Sequence, residues 1–366
     1  MTTSITQLAT PGVQALQPYA PGKPLQELER EYGIRDAVKL ASNENPLGPG
    51  ARVLEAMQGA LREVARYPDG NGFVLKNRLA QKLGVPADWI TLGNGSNDVL
   101  ELVARAFLSP AHNAVCSEHA FAVYPIVTRA IGAEGRVAPA HDFGHDLGAM
   151  AARIDADTRV VFVANPNNPT GTWLGRDALR AFVAAVPSHV VVVIDEAYFE
   201  YVEEPDYPDS LQWVADHPNL LVTRTFSKAH GLAALRVGYG VSQPELADLL
   251  NRVRQPFNVN SLAQAAAAAA LDDEAHLQRS IAVNRDGLAQ LAAGFEALGL
   301  DYIPSVGNFI SVDTGREAGP VYEALLREGV IVRPVANYGL PNHLRVSVGL
   351  PAENERALAA LAKVLA

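Results

Sequence analysis

The chain has a single cysteine, Cys116, which excludes an internal disulfide framework. It also lacks a basic excess. Its 30 lysines and arginines stand against 40 aspartates and glutamates, and the formal net charge of −10 argues against a nucleic-acid-binding surface. Residues 1–20 contain no basic segment followed by an apolar one, and no apolar run is long enough to span a membrane. These features predict a cytoplasmic protein without a signal peptide.

The composition that is present is typical of a compact globular protein, with 48% hydrophobic and 19% charged residues. At 366 residues the chain is long enough for two domains. We expect residues 1–50 to form an N-terminal arm and part of a small domain. Residues 51–270 should form a large domain, and residues 271–366 the remainder of the small one.

The stretch 223–236 places a lysine where a buried strand should end. The apolar residues 220–222 predict that strand, and Ser227, Lys228 and Arg236 follow it. Desolvating an ammonium group is costly and lowers its pKa, which suits a lysine that forms a Schiff base. A phosphate could be held by the hydroxyl of Ser227 and by bidentate bonds from Arg236. In isolation a Ser-Lys pair would indicate only a surface loop, so the rest of the chain must decide.

Two further apolar runs end in polar residues. Residues 160–164 precede Asn168 in an Asn-Pro-Thr-Gly sequence, and residues 190–194 precede Asp195 and Tyr198. Continuous apolar runs predict strands covered on both faces of a parallel α/β sheet, where ligands bind at the carboxyl ends of strands. Asp195 should have a partner, because an unpaired buried carboxylate is costly. A metal-binding or capping aspartate is the alternative, but no histidine, cysteine or carboxylate cluster with metal-ligand spacing accompanies it.

Residues 89–107 predict a strand, a glycine-rich turn and a helix. The backbone amides of Gly95, Ser96 and Asn97 are therefore candidate donors to an anion at the start of that helix. On its own such a turn could be a simple helix entry. Together with Ser227 and Arg236 it would complete a phosphate-binding cup.

The lysine stretch resembles the motif of fold-type I pyridoxal-phosphate (PLP) enzymes, Ser-Lys-Ala-x-Gly-Leu-Ala-Gly-x-Arg. Ala234 stands where that family commonly has glycine, and alanine tolerates a positive φ poorly. The resemblance implies that PLP is the cofactor and that Lys228 forms the Schiff base with it. It also implies that Asp195 pairs with the ring nitrogen of PLP.

The same resemblance assigns the remaining contacts of the cofactor ring. Asn168 and Tyr198 would hydrogen-bond its phenolate oxygen. Phe121 matches the aromatic position that stacks on the ring, where tyrosine is the usual residue. A core aromatic side chain is the alternative interpretation for Phe121.

Other parts of the chain are similar to histidinol-phosphate aminotransferases and their relatives. The segments concerned are 17–24, 40–49, 67–69 and 333–349. This similarity implies that Tyr19 and Asn43 lie near the substrate. It implies that Tyr67 reaches the cofactor phosphate of a neighbouring subunit across a homodimer interface, a turn being the alternative. Arg345 would grip the anionic group of the substrate, with Arg333 as a second cation or simply an edge-strand charge.

The expected fold is therefore the α/β fold of a fold-type I PLP-dependent transferase. It has a mostly parallel, doubly wound large-domain sheet and a smaller α+β domain made from both chain ends. The expected activity is transfer of an amino group from histidinol phosphate to 2-oxoglutarate, in histidine biosynthesis. Transamination of aromatic amino acids and a decarboxylase similar to threonine-phosphate decarboxylase remain alternatives. A PLP-sensing transcription regulator is set aside, because residues 1–50 are too short and proline-rich for a DNA-binding domain.

Overall fold

The structure is a computed structural model that describes residues 4–18 and 21–366, so the predicted substrate residue Tyr19 lies outside the described residues. None of the helices in these two ranges is long and apolar enough to cross a membrane. In chain order the helices are α1 (Pro11–Gln14), α2 (Leu25–Tyr32), α3 (Ala51–Ala60), α4 (Phe73–Leu83), α5 (Ser96–Phe107), α6 (Val123–Ile131), α7 (Leu147–Ala151), α8 (Arg176–Ala185), α9 (Pro244–Val253), α10 (Ser261–Ala270), α11 (Glu274–Ala297), α12 (Ala318–Arg327) and α13 (Pro351–Leu365).

The strands are mostly short and form one large and three smaller sheets. In chain order they are β1 (Val38–Lys39), β2 (Ile90–Gly93), β3 (Asn113–Ser117), β4 (Glu134–Ala138), β5 (Ala140–His141), β6 (Gly144–His145), β7 (Thr158–Ala164), β8 (Val191–Asp195), β9 (Leu220–Thr225), β10 (Gly238–Val241), β11 (Tyr302–Ile303), β12 (Phe309–Asp313), β13 (Val330–Ile331), β14 (Arg333–Pro334) and β15 (His343–Ser347).

The large sheet has seven strands in the order β2-β10-β9-β8-β7-β3-β4. Strand β10 is antiparallel to both of its neighbours, and the pairs from β9 to β4 are parallel. Packing requires a glycine at position 238 in β10, because a side chain there would collide with the backbone of Ser96. The predicted mostly parallel sheet is confirmed, with one antiparallel strand inserted.

Alternate side chains of the central strands enter two different apolar cores. Val161 of β7 and Val192 of β8 lie in the core that also contains residues of α3, α8 and α10. Phe162 and Val193, one position further along each strand, lie in the core on the other face with α5, α6 and α9. Each fully buried side chain of this size contributes about 1.5–3 kcal/mol by leaving water. Continuous apolar runs are required because helices cover both faces of the sheet.

A second sheet, β11-β12-β15-β14, is antiparallel throughout and shares an apolar core with α11, α12 and α13. The N-terminal segment joins this region, because β1 pairs in parallel with β13. Both ends of the chain therefore contribute to the smaller α+β part. The predicted domain limits, 1–50, 51–270 and 271–366, stay a prediction.

Candidate active site

A cavity of about 650 Å³ lies where the carboxyl ends of β7, β8 and β9 face the small sheet. Most of the predicted site residues line it. They are Asn43, Ser96, Asn97, Phe121, Asn168, Asp195, Tyr198, Ser227, Lys228, Arg236, Arg333 and Arg345. Gly95 lies next to the guanidinium group of Arg236, and Tyr67 lies on the surface. Strand ends distant in sequence thus supply side chains to one cavity.

Lys228 lies just beyond the end of β9, with its amine pointing across the cavity. Nζ donates a hydrogen bond to the carbonyl oxygen of Ser42 (3.3 Å) and lies 5.7 Å from the ring centre of Tyr198. Burial, with the nearby charge of Arg345, lowers the pKa of Lys228 to about 7. A substantial fraction of this amine is therefore uncharged near neutral pH, as a nucleophile requires.

Asp195 ends β8 and accepts one hydrogen bond on each carboxylate oxygen. Tyr124 Oη donates to Oδ2 (2.9 Å), and Thr223 Oγ1 donates to Oδ1 (3.0 Å). Burial raises the pKa of Asp195, and these two bonds and the charge of Lys228 lower it against that effect. Neither Tyr124 nor Thr223 was among the sequence predictions. Their positions in a helix and a strand are equally typical of core residues.

The hydroxyl group of Tyr198 is held by the N-terminal loop. Asn43 Nδ2 donates to Tyr198 Oη (2.9 Å), while the backbone N–H of Asn43 donates to Ser347 Oγ (2.8 Å). Asn43 is only 1% exposed, and its φ of 54° is unusual for a residue other than glycine. This asparagine therefore lines the cavity and also fixes the orientation of Tyr198.

Arg345 connects the small sheet to the loop after β7. Its Nη1 donates to Asn168 Oδ1 (2.5 Å), and its Nη2 donates to the carbonyl oxygen of Ala41 (2.7 Å). Arg333 lies directly opposite Arg345, because the two residues are paired across β14 and β15. Both arginines line the cavity, so two positive charges lie close together on its small-sheet wall.

The groups predicted to form a phosphate-binding cup lie together at the start of α5. Arg236 Nη1 donates to Ser227 Oγ (3.3 Å). Gly95 precedes the helix with φ at 81°, and a Cβ atom there would lie 2.5 Å from Arg236 Nη2. Within the lysine stretch the positive φ angles belong to Gly231 (71°) and Arg236 (56°), whereas Ala234 lies in a turn of 3₁₀ helix. The alanine therefore occupies a position where glycine is not required.

The two aromatic residues predicted to contact the cofactor, Phe121 and Tyr67, lie in different places. Phe121 lines the cavity, with its ring edge-on to Tyr124 at 5.9 Å. Tyr67 is 82% exposed and stacks on Phe257, with ring centres 4.7 Å apart. In its own chain Tyr67 therefore lies outside the cavity, and its contact with a neighbouring subunit stays a prediction.

The residues around the cavity fit PLP in their chemistry. A helix N-terminus, the hydroxyl of Ser227 and the guanidinium of Arg236 form an anion site at one end. Asp195 offers a carboxylate at a buried strand end, suited to a protonated ring nitrogen. Lys228 supplies an amine of lowered pKa in the same cavity. Phosphate, pyridine nitrogen and aldehyde each have a matching group.

The fold and this arrangement define a PLP-dependent transferase, and the chain belongs to the class I and II aminotransferases, whose family profile matches residues 35–361. It is 66% identical to histidinol-phosphate aminotransferase 2 of Pseudomonas fluorescens, over 98% of each chain. It is 61% identical to histidinol-phosphate aminotransferase 1 of Nitrosococcus oceani, over 98% of this chain and 97% of the relative.

Solved structures of aminotransferases have a fold similar to that of this chain. Histidinol-phosphate aminotransferase from Sinorhizobium meliloti, in complex with pyridoxal-5'-phosphate, superposes with a TM-score of 0.91 at 30% identity, over 97% of each chain. An aspartate aminotransferase mutant from Thermus thermophilus shares the fold, with a TM-score of 0.82 at 24% identity, over 97% of this chain and 99% of the other.

Proposed function

We propose that the chain is a PLP-dependent histidinol-phosphate aminotransferase that passes the amino group to 2-oxoglutarate. The observation that carries the choice of substrate is the pair Arg333 and Arg345, opposed across β14 and β15 on one wall of the cavity. A phosphate dianion gains more from a second guanidinium than a carboxylate does. The similarity to the Pseudomonas and Nitrosococcus enzymes supports the same substrate.

Residues around the cavity would hold the cofactor by its two ends. Ser227, Arg236 and the amides at the start of α5 would bind the phosphate. Asp195 would bind the ring nitrogen, and Phe121 would stack on one face of the ring. Bound PLP supplies an aldehyde for the amino group and a ring that accepts the electron pair released at the α carbon.

Lys228 and its neighbours perform the proton transfers. With PLP bound, Lys228 Nζ would act as the base that takes the proton from the α carbon of the substrate amine, and then as the acid that returns it to the carbon bearing the aldehyde of PLP. Asp195 would keep the ring nitrogen of PLP protonated. Asn168 and Tyr198 would donate hydrogen bonds to the phenolate oxygen. Arg345 holds the anionic group of the substrate and so orients the α hydrogen towards Lys228.

The test compares histidinol phosphate, phenylalanine and threonine phosphate as amino donors with the purified protein, following glutamate and CO₂. Histidinol phosphate should have the highest kcat/KM, without CO₂ release. Arg333→Ala should lower kcat/KM for histidinol phosphate by about 10- to 100-fold, because a hydrogen bond between charged groups is lost, and for phenylalanine by less. Arg327→Ala removes an exposed arginine on α12 and is the matched control.

Three results would count against this proposal. A higher kcat/KM for phenylalanine in the unmutated enzyme would favour aromatic transamination. Release of CO₂ from threonine phosphate would favour the decarboxylase. An equal loss with both amino donors in Arg333→Ala would mean that Arg333 does not select the phosphate.

The proposal includes a cytoplasmic homodimer with shared active sites. The segment 61–74 exposes the large apolar side chains of Leu61 (53%), Val64 (66%), Tyr67 (82%), Phe73 (70%) and Val74 (62%). Such concentrations of exposed apolar side chains mark interaction surfaces. A second copy of the chain would cover this segment and bring Tyr67 to the phosphate cup of its partner.

A further inference from the structure

The carboxylate of Asp195 is held by two neutral hydroxyl groups that the proposed mechanism does not use. Tyr124 Oη donates to Oδ2 at 2.9 Å, and Thr223 Oγ1 donates to Oδ1 at 3.0 Å. Tyr124 is 1% exposed and Thr223 is completely buried. Each carboxylate oxygen thus has one protein donor, and water has little access to either bond.

Both donors are placed by rigid parts of the fold. Thr223 is the register partner of Asp195 across β9 and β8, so the two side chains lie on the same face of the sheet. The ring of Tyr124, on α6, stacks on Phe162 of β7 at 4.8 Å with an interplanar angle of 3°. Thr128 Oγ1 also donates to the carbonyl oxygen of Tyr124 (2.8 Å). Neither hydroxyl can move away from Asp195 without disturbing a packed core.

We propose that Tyr124 and Thr223 are positioning residues that keep Asp195 ionised and aimed at the ring nitrogen of the cofactor. The inference rests on PLP binding in the proposed function, and not on the identity of the amino donor. An ionised carboxylate accepts about four hydrogen bonds, so two donors from the protein leave room for the N–H of the ring.

The charge balance explains why these donors are needed. Burial favours the neutral form of Asp195, and hydrogen bonds to a carboxylate favour the ionised form. Without them, the proton on the ring nitrogen would pass to Asp195 and leave both groups neutral. The ring would then accept electron density less readily. Burial and the neighbouring Asp195 raise the pKa of Tyr124 well above its usual value, so the phenol remains a donor.

The experiment uses the protein loaded with PLP that is ¹⁵N-labelled in the ring. The unmutated protein should give the nitrogen chemical shift of a protonated pyridine. Tyr124→Phe and Thr223→Val each remove one donor with little change of shape, and each should move the shift towards the unprotonated value. Each variant should also weaken PLP binding about tenfold. Thr223→Ser keeps the hydroxyl group and should restore both values.

Tyr302→Phe is the matched control, because Tyr302 donates to Glu296 (2.8 Å) away from the cavity. It should leave the nitrogen shift and PLP affinity unchanged. Unchanged values in both Tyr124→Phe and Thr223→Val would overturn the inference. So would equal changes in Thr223→Ser and Thr223→Val, which would indicate a packing effect. If the unmutated protein failed to bind PLP at Lys228, the proposed function would fall first, and this inference with it.

Discussion

At the scale of single residues, the main electrostatic feature is a lysine amine in a site that already contains arginines. Lys228 is desolvated, and Arg345 and Arg236 both disfavour its charge, while Glu44 and Asp195 favour it. The lowered pKa is useful for chemistry and costly for folding, because the unfolded chain binds a proton more tightly than the folded one. The cofactor-free protein should therefore lose stability through this residue.

We predict that Lys228→Met raises the free energy of unfolding of the cofactor-free protein, and by more at pH 7 than at pH 10. The folded pKa of Lys228 is about 7, against 10.5 for an ordinary lysine, so the cost is small above pH 10.5, grows as the pH falls, and is complete below pH 7. The gain in the free energy of unfolding should be larger at pH 7 than at pH 10 by about 3 kcal/mol. Denaturant titrations at both pH values would measure this.

The control is Lys363→Met, which removes an exposed lysine paired with Glu328. Exposed ion pairs contribute about 0–1 kcal/mol, so that variant should show little effect at either pH. A gain for Lys228→Met that is the same at pH 7 and pH 10 would contradict the electrostatic account and indicate better packing alone.

Individual residues differ in how far sequence reasoning can find them. Lys228, Asp195 and Asn168 each follow an apolar run, and polar residues at predicted strand ends are conspicuous. Tyr124 carries no such signal, because a tyrosine on an amphipathic helix is most often a core residue. Its contact with Asp195 depends on how α6 packs against the sheet, which is a tertiary property. Likewise, the positive φ at Arg236 rather than at Ala234 depends on the turn that brings Arg236 over Gly95.

At the scale of elements, the phosphate cup depends on the close approach of α5 to Arg236. Gly95 permits this approach in two ways. It adopts a φ of 81°, which other residues rarely do, and it leaves space for a guanidinium group where a side chain would stand. The helix N-terminus and the arginine can therefore bind the same phosphate.

We predict that Gly95→Ala weakens PLP binding by at least tenfold, because the new methyl group would displace Arg236. Gly84→Ala is a matched control, since Gly84 ends α4 with φ at 68° and nothing lies within 4 Å of the added atom. It should cost about 1 kcal/mol of stability through backbone strain without changing PLP affinity. Fluorescence titration with PLP and thermal unfolding separate these effects. Equal PLP affinity in the two variants would refute the displacement.

Strands with a continuous apolar pattern can be predicted from the sequence more readily than strands whose pattern is interrupted. The apolar runs of β7, β8 and β9 indicate buried strands directly. Strand β10 is not evident, because Gly238 and Gly240 dilute its apolar pattern, and both glycines are there to let neighbouring groups approach. Its antiparallel position between β9 and β2 is set by packing that local sequence does not encode.

At the scale of the whole molecule, the proposed role of Tyr67 would divide the active site between two chains. The ring of Tyr67 is 82% exposed. Among the ring contacts of the described residues, it stacks only on Phe257, at the surface. A two-fold dimer repeats each contact, so each site would combine Lys228 from one subunit with Tyr67 from the other.

We predict that mixing two inactive variants restores activity. Lys228→Ala and a disabling Tyr67 variant should each be nearly inactive alone. After dissociation and reassociation of equal amounts, about half the dimers are mixed, and each mixed dimer has one intact site of two. Activity should return to about a quarter of the unmutated level if the sites act independently.

The control pair is Lys228→Ala with Asp195→Ala, because both residues line the cavity of the same chain. Re-pairing these variants leaves no intact site and should recover nothing. If the Lys228 and Tyr67 pair also recovered nothing, Tyr67 would act within its own chain or not at all, and the shared-site proposal would be wrong.

The opposition of Arg333 and Arg345 across β14 and β15 has a consequence for the lifetime of the protein. Two guanidinium groups paired across two strands would together bind a dianion more strongly than either would alone. Because a ligand of the folded state raises the free energy of unfolding as its concentration rises, the folded fraction follows the supply of phosphorylated substrate. A cell rich in that substrate would thereby retain more of the enzyme against proteolysis, and a cell short of it would clear the protein sooner.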